Sequence, residues 1–309
     1  LSAGAVNSPQ LLLLSGIGPQ EDLSEVRVLS VHHLPGVGRN LHNHVSFFLW
    51  FTINETATTT LNWEAAMEYI KFRDGPMTNT GLTGVTGFVN SKYVKAEDDN
   101  PDIQIFFNGL VANCSKTGQI GEYVEYETSR TVSTPSKRRV NINPIVLRPL
   151  SRGYLKLRDN NPLSPPMIHA RYLTNPADVA VLIEGIKFGL KISKTAALQK
   201  YGFELDRTPA KRCENIPFGT DTYWECAIRS NTGAENHQGG SCRMGPGGDP
   251  EAVVDPELRV HGVDGLRVMD ASVMPRIVSG NTNAPVIMIG EKGSDLVKSR
   301  WLENGGMYK

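Results

Sequence analysis

The chain of 309 residues has little of three features that mark common classes of protein. Its four cysteines are too few for a disulfide scaffold in a chain of this length. Lys and Arg together number 32, as do Asp and Glu, so the net charge is zero. A nucleic-acid binder or a polybasic membrane patch would need an excess of basic residues. The longest apolar runs, such as residues 11–14 and 286–289, are far shorter than the roughly 18 residues that cross a bilayer. We therefore expect no nucleic-acid partner and no membrane span.

What the sequence does contain is a mixture of helical and extended patterns. Helices are predicted at 9–14, with Ser8 as cap, at 62–72, at 176–199, with Asn175 as cap, and at 285–301; strands are predicted at 45–53, 102–107, 140–147, 153–158 and 266–269. Residues 206–218 are predicted to form a loop. Strands that follow one another without intervening helices favour an antiparallel sheet. We therefore predict an α/β (α+β) fold, in which an antiparallel domain is inserted into an α/β domain.

The first candidate for chemistry is His237, which lies in the run Asn236-His237-Gln238-Gly239-Gly240. Imidazole is the side chain best matched to proton transfer near neutral pH. Adjacent glycines would let a substrate or planar cofactor approach the backbone. The alternative is a core histidine beside a glycine-rich turn, and the spacing alone does not decide between the two.

Two further segments have patterns typical of nucleotide sites. Asp270 and Ala271 follow a β-type run, and such strand ends often contact nucleotides in open α/β sheets. The segment 279–285 precedes an apolar helix, with Asn283 as the expected cap, and a helix N-terminus suits an anion or a ring that gains negative charge. The alternative for Asp270 is an aspartate that only caps a turn. The alternative for the segment 279–285 is the start of an ordinary capped helix.

Other chemistry-bearing residues are interpreted as structural. His32, His33, His42 and His44 have no cysteine or carboxylate cluster beside them in the sequence, so we expect packed or solvated histidines and no metal site. Cys213 and Cys226 flank a passage with a bend at residues 217–219, and we predict that they form a disulfide if the protein is secreted. The sequons at Asn54 and Asn113 favour secretion as well.

Taken together, the motifs resemble those of the glucose-methanol-choline (GMC) oxidoreductase family, which holds FAD. The residues that resemble the family's motifs are spread in order along the chain: 4–19, the GVGRNL loop at 36–41, 150–153, 165–172, NHQGGSCRMGP at 236–246 and 263–298. Asn43 stands where the loop motif usually has aspartate. The amino-acid sequences of the last two segments, 236–246 and 263–298, are most similar to those of the insect branch of the family that contains glucose dehydrogenases.

The resemblance implies a domain organisation and one departure from the family. Residues 1–45 would be the end of the first half of an FAD-binding Rossmann-like domain, 46–235 the substrate domain, and 236–309 the C-terminal part of the FAD-binding domain. The family's G-x-G-x-x-G turn, which holds the ADP half of FAD, does not occur in the sequence. We therefore expect the chain to be the C-terminal part of a longer enzyme, and we expect it to bind FAD weakly or not at all by itself.

The resemblance also implies a reaction and the residues that perform it. A CH–OH group of an alcohol or a sugar such as glucose would be oxidised, with His237 as the base and hydride transfer to flavin N5. Asn281 matches the second catalytic position and would orient the substrate oxygen, because an amide is not a base near pH 7. The positions that match FAD contacts are Asn236, Asp270, Ala271, Thr282 and Asn283.

Two alternatives remain open beside an alcohol or sugar dehydrogenase. One is an oxidase of the same family that acts on a steroid or another alcohol, which would differ in whether quinone or oxygen accepts the electrons. The other is a catalytically silent fragment that keeps the fold.

Overall fold

The computed structural model describes residues 1–56, 63–78, 84–95, 97–108 and 137–302. The predicted mixture of helices and strands with an antiparallel sheet is confirmed. The chain forms two compact units, each built from separate stretches of sequence. Unit 1 comprises residues 1–45, 147–178 and 234–309, and unit 2 comprises 46–146 and 179–233.

Unit 1 surrounds one apolar core with short elements. Its helices are α1 (Gly4–Leu14), α2 (Gln20–Glu25) and, at the other end of the chain, a helix at Asn283–Leu302; its strands are β1 (Ile17–Gly18), β2 (His32–His33) and a pair at Tyr154–Lys156 and Met167–His169. β1 and β2 pair in parallel, and the later two pair antiparallel. Leu12, Leu155, Cys242 and Val268 are fully buried in this core. The long return loop at 234–282 therefore packs between elements from both ends of the chain.

Helix α1 begins earlier than the predicted 9–14 because its first turn is capped by a distant residue. The carboxylate of Asp270 accepts hydrogen bonds from the Gly4 N–H (3.0 Å) and from the hydroxyl of Ser8, which lies inside the helix. Pro9 also lies inside α1 and has no N–H to donate to the carbonyl of Ala5. The Ser241 hydroxyl donates to that carbonyl instead. The helix is thus completed by contacts that no local pattern contains.

Unit 2 is built on an antiparallel sheet. In chain order its strands are β3 (Leu49–Thr56), β4 (Val85–Val89), β5 (Ile103–Asn108), β6 (Lys137–Val146) and, after the pair of unit 1, β7 (Glu204–Leu205). The strand order in the sheet is β7–β3–β6–β5–β4. The helices of this half of the chain are α3 (Trp63–Phe72), α4 (Pro176–Ser193), α5 (Ala196–Gln199) and α6 (Asp221–Ser230), so that the helix at 283–302 is α7. Two-residue strands at Val45–Ser46 and Gly233–Ala234 lie at the boundaries of the units.

Helix α4 packs on the sheet through two glycines. A Cβ atom at Gly185 would lie 2.6 Å from the Cβ of Pro144, and one at Gly189 would lie 2.9 Å from the Cδ1 of Leu49. Contacts that short do not occur, so a side chain at either position would push the helix away from the sheet. The predicted cap of α4 is present, because the Asn175 Oδ1 accepts from the Ala177 N–H at 3.0 Å. The helix ends at Ser193, before α5, rather than running to 199.

The compact units differ from the expected domain boundaries mainly in one segment, beside a two-residue shift at 234–235. Residues 147–178 were expected in the substrate domain at 46–235 but belong to unit 1. The physical reason is backbone pairing: Gly153 N–H donates to Leu41 O at 2.7 Å, and Leu155 N–H donates to Gly38 O at 2.8 Å. The predicted strand at 266–269 is wrong, because its backbone groups bond to residues 1, 258 and 260 and form only an isolated bridge rather than a continuous ladder.

Cys213 and Cys226 form a disulfide in unit 2, with Cα atoms 5.9 Å apart. The predicted pairing is thereby confirmed. Cys242 is a buried free thiol in unit 1, and Cys114 lies outside the described residues.

Replacing both Cys213 and Cys226 by alanine is expected to lower the free energy of unfolding of unit 2 by about 3 kcal/mol, because a loop of this size is no longer closed in the unfolded chain. Urea unfolding with and without reductant measures the effect. The wild type should lose stability in reductant and the double variant should not. An unfolding midpoint of the wild type that is insensitive to reductant would contradict the prediction.

Candidate active site around His237

The position of His237 is set by backbone pairing between two loops of unit 1. His42 and Gly239 exchange two hydrogen bonds, of 3.1 and 3.0 Å, as an isolated antiparallel bridge. In this register residue 44 lies opposite residue 237. Asn236, at φ 56°, turns the chain just before the histidine. The loop at 42–44 therefore packs directly against the segment that carries His237.

The glycine pair after His237 serves this packing. Gly240 has φ 84°, and a Cβ atom there would lie 2.2 Å from the His42 ring and 2.7 Å from the Asn40 carbonyl oxygen. A Cβ at Gly239 would lie 3.1 Å from the carbonyl oxygen of Ala271. The predicted close approach to the backbone at these glycines is thus made by the protein's own loops.

Two buried neighbours hold His237. The His237 N–H donates to the Asn43 Oδ1 at 2.9 Å, and the Asn43 Nδ2 donates to the Tyr172 hydroxyl at 3.0 Å. The Nδ1 atoms of His44 and His237 are 3.0 Å apart, and the two rings meet edge to face. His44 is completely buried, whereas His237 is half-buried. Asn43 and His44 therefore hold His237 in place, and part of its side chain remains accessible to solvent.

His44 is itself anchored by two backbone carbonyls. Its Nε2 lies 3.1 Å from the oxygens of both Leu147 and Val278. Val278 is three residues before Asn281, so this contact ties the loop of the second candidate residue to the His237 pair. The sequence predicts packed or solvated histidines at 42 and 44, and it gives no direct sign of the contact between His44 and His237. The alternation His42, Asn43, His44 ahead of a strand was the available signal, because it puts both histidines on one face of an extended chain.

Burial keeps this group of imidazoles neutral. Burial, and to a smaller extent the neighbouring His237, lower the pKa of His44 to about 4 against the effect of the two carbonyls. Burial also lowers the pKa of His237 below its ordinary value of 6.5. At pH 7 His237 is therefore an uncharged imidazole that can accept a proton.

The remaining candidates lie on two neighbouring segments of unit 1. Asp270 is buried, and its carboxylate accepts from Gly4, Ser8 and the Ser272 N–H, so the predicted turn-capping alternative is present. Ala271 begins a short 3-10 helix. Its carbonyl accepts from the Gly240 N–H at 3.1 Å, which joins this segment to the one that carries His237.

The loop at 278–283 leads into the N-terminus of α7, which starts at Asn283 and not at Pro285. Thr282 is buried, and its carbonyl accepts from the Val286 N–H, whereas Asn281 and Asn283 are exposed. α7 has 20 residues, and its first-turn N–H groups carry the positive end of the helix dipole. The amide side chains of Asn281 and Asn283 therefore lie at the N-terminus of α7, and none of these groups carries a formal charge.

In the part of the chain that the structure describes, no three His, Cys, Asp or Glu side chains cluster as they would around a metal ion. No described helix is long and apolar enough to span a membrane.

Two family profiles described as GMC oxidoreductase match the chain, one over residues 1–46 and the other over 149–290. Together they cover more than half of the sequence. Both loops that hold His237, at 42–44 and 236–240, and the start of α7 lie within the matched ranges, whereas Leu147 lies just outside them.

The chain is 54% identical to glucose dehydrogenase (FAD, quinone) of Drosophila pseudoobscura pseudoobscura, over 97% of this chain and 47% of that protein. It is 35% identical to mitochondrial choline dehydrogenase of Homo sapiens, over 100% of this chain and 49% of that protein. The chain thus spans about half the length of the curated relatives it matches.

Among solved structures, formate oxidase matches with a TM-score of 0.80 at 24% identity, over 98% of this chain and 54% of that one. Pyridoxine 4-oxidase from Mesorbium loti matches with a TM-score of 0.72 at 23% identity, over 96% and 50% of the two chains. At these identities the likeness concerns the fold.

Proposed function

Because the chain belongs to the GMC oxidoreductase family, we propose that it supplies the base and the substrate-orienting residues of an FAD-dependent oxidoreductase that acts on CH–OH groups. The observation that carries the proposal is the neutral, half-buried His237, held by Asn43 and His44 within the segments that match the family. The substrate class is a sugar such as glucose or another alcohol, and the acceptor is a quinone. The names of the Drosophila relatives support both choices.

The described residues fit the flavin end of FAD. Asn281 and Asn283 present uncharged amides, and the N-terminus of α7 offers N–H groups and a positive dipole end. Uncharged donors suit the edge of a neutral ring, and the dipole would stabilise the negative charge of the reduced ring. Asp270 and Ala271 would act through their backbone, since the Asp270 carboxylate already accepts three hydrogen bonds within unit 1. We keep Asn236 and Thr282 as further candidate contacts.

The residues of this chain would divide the reaction as follows. His237 accepts the proton of the substrate hydroxyl. The Asn281 amide holds the same oxygen, so that a C–H bond of the carbinol carbon is oriented for transfer. When bound, FAD supplies the acceptor for the hydride that leaves this carbon, and the substrate becomes a carbonyl compound. His237 remains protonated until the proton passes to solvent.

The test uses the protein expressed from its complete reading frame and loaded with FAD. Anaerobic addition of glucose or a simple alcohol should bleach the oxidised flavin spectrum, and a quinone should restore it faster than oxygen. If no sugar or alcohol bleaches the flavin, the proposed function is wrong. Faster recovery with oxygen would replace the dehydrogenase by an oxidase.

Replacing Asn281 by histidine is expected to keep measurable activity, because the imidazole N–H can also hold the substrate oxygen. Asn281→Ala is the matched control and should lose far more of the rate at saturating substrate. A crystal structure of the protein should show His237 and Asn281 on one cavity, since both must reach one oxygen within about 3 Å. Side chains that open into separate cavities would refute the shared role.

We also infer that the protein is secreted. The Cys213–Cys226 disulfide supports this location, because such bonds persist in oxidising compartments. The sequon residue Asn54 is exposed, while Asn113 lies outside the described residues. Recovery of the native protein from the extracellular fraction, with a mass that falls on treatment with a glycosidase, would support the inference. Exclusive recovery from the cytosol with both thiols reduced would overturn it.

A further inference from the structure

We propose that His44 is a positioning residue that fixes the tautomer of His237, so that Nε2 of His237 carries the lone pair that receives the substrate proton. The proposal rests on the proposed function, since it assigns the reactive atom of the same base. His44 itself would not touch the substrate, because it is completely buried.

The first step concerns the outer nitrogen of His44. Its Nε2 lies 3.1 Å from two carbonyl oxygens, those of Leu147 and Val278. A carbonyl oxygen can only accept a hydrogen bond. The Nε2 atom must therefore carry the hydrogen, which it shares between the two acceptors.

The second step concerns which nitrogen of His237 carries the hydrogen. A neutral imidazole has one N–H, so the Nδ1 of His44 holds a lone pair and can only accept. This Nδ1 is 3.0 Å from the Nδ1 of His237, which must then be the donor. With its single hydrogen on Nδ1, a neutral His237 has its lone pair on Nε2.

The same contact supports the protonated form of the base. When Nε2 accepts a proton, the Nδ1–H bond to His44 stays in place and becomes charge-assisted. No ring has to turn and no other proton has to move. Among the described residues, the groups given as bonding to His44 or acting on its charge are His42, His237 and the two carbonyls, and none of these is an anion. A neutral partner orients the ring without raising the basicity of His237 as a carboxylate would.

The arrangement is rigid enough to enforce this choice. The two rings are nearly perpendicular, at 89°, with centroids 5.1 Å apart. Asn43 fixes the backbone N–H of His237 at the same time. The pair therefore has the geometry of a base and its orienting group, with imidazole in the place of the more familiar acid.

The direct test is ¹⁵N NMR of the histidine-labelled, flavin-free protein at pH 7, with signals assigned through His237→Ala and His44→Gln. We expect the hydrogen on Nδ1 in His237 and on Nε2 in His44. A wild-type His237 with its hydrogen on Nε2 would overturn the proposal whatever the activity of the enzyme is.

The kinetic test compares two replacements of His44 in the FAD-loaded protein. His44→Gln can keep the direction of both hydrogen bonds, since its amide N–H can donate to the carbonyls and its Oε1 can accept from His237. His44→Phe keeps the bulk and loses both bonds. We expect the Phe variant to reduce flavin about 10-fold or more slowly, with unchanged substrate dissociation constant, and the Gln variant to recover most of the loss.

The outcomes separate this proposal from the proposed function. Equal rates in the wild type and the folded His44→Phe variant would overturn the role of His44 and leave His237 as base. A Gln variant as slow as the Phe variant, with normal folding and flavin content, would overturn it as well. A wild type that oxidises no alcohol or sugar would defeat the proposed function, while the NMR result would still decide the tautomer. If His44→Phe does not fold, the NMR test of the wild type stands alone.

Discussion

Replacing His237 by alanine is expected to lower the rate of flavin reduction by about 10²-fold or more, the usual worth of a positioned general base. The substitution removes the imidazole and leaves the backbone N–H that donates to Asn43, so the loop keeps one of its two anchors. The loss should fall on the limiting rate of reduction and spare the dissociation constant of the substrate. Anaerobic stopped-flow measurement of flavin absorbance separates these two quantities.

The matched control is His33→Ala, which removes an exposed imidazole from strand β2 of the same unit. Its rate of flavin reduction should equal that of the wild type. Reduction at the wild-type rate by the His237→Ala variant would show that another group takes the proton. Because burial lowers the pKa of His237, the neutral base should persist below pH 6.5. The acid limb of kcat/KM should therefore lie below the pH of an ordinary histidine.

The sequence predicted His237 because its type, its glycine-rich surroundings and the family motif all pointed to one residue. It did not predict His44, although this residue is in direct contact with His237. Histidines in a short run such as His42-Asn43-His44 are usually packed or solvated, and His44 is indeed packed. Its importance comes from a register between residues 42–44 and 237–239 that only the folded chain shows.

The errors in the predicted elements have the same origin. Local capping rules start α1 at Pro9, because the true cap, Asp270, is 266 residues from Gly4 in the sequence. The apolar run at 266–269 is typical of a strand, but its bonds are divided between the chain start at Leu1 and the preceding segment at 258–260, and they form no continuous ladder. In contrast, β5 and β6 were predicted within a few residues, since each carries apolar residues at closely spaced positions within a continuous ladder. Patterns of period two or 3.6 thus locate regular elements, whereas the loops that build the site depend on contacts between distant residues.

The stability of unit 1 is expected to fall by about 3 kcal/mol between pH 7.5 and pH 5.5 because of His42 and His44. Burial lowers the pKa of each to about 4, so the folded state resists protons that the unfolded chain accepts below pH 6.5. The stabilising effect is complete above pH 6.5 and is lost progressively as the pH falls towards 4. Within the described residues the buried Nε2 of His42 has no hydrogen-bond acceptor, and the cation of Arg152 opposes its charging.

Urea unfolding followed by circular dichroism at a series of pH values measures this slope. His42→Gln and His44→Gln should each remove a large part of the pH dependence, because glutamine does not titrate. His237, whose pKa burial also lowers, contributes in the same direction. His33→Gln, which removes an exposed imidazole from the same unit, is the control. Carboxylates whose pKa is lowered, such as Asp255, act at more acidic pH and leave this window to the histidines. A flat stability profile of the wild type from pH 7.5 to 5.5 would mean that His42 and His44 accept protons in the folded state as readily as in the unfolded chain, and the lowered pKa assigned to both would then be wrong.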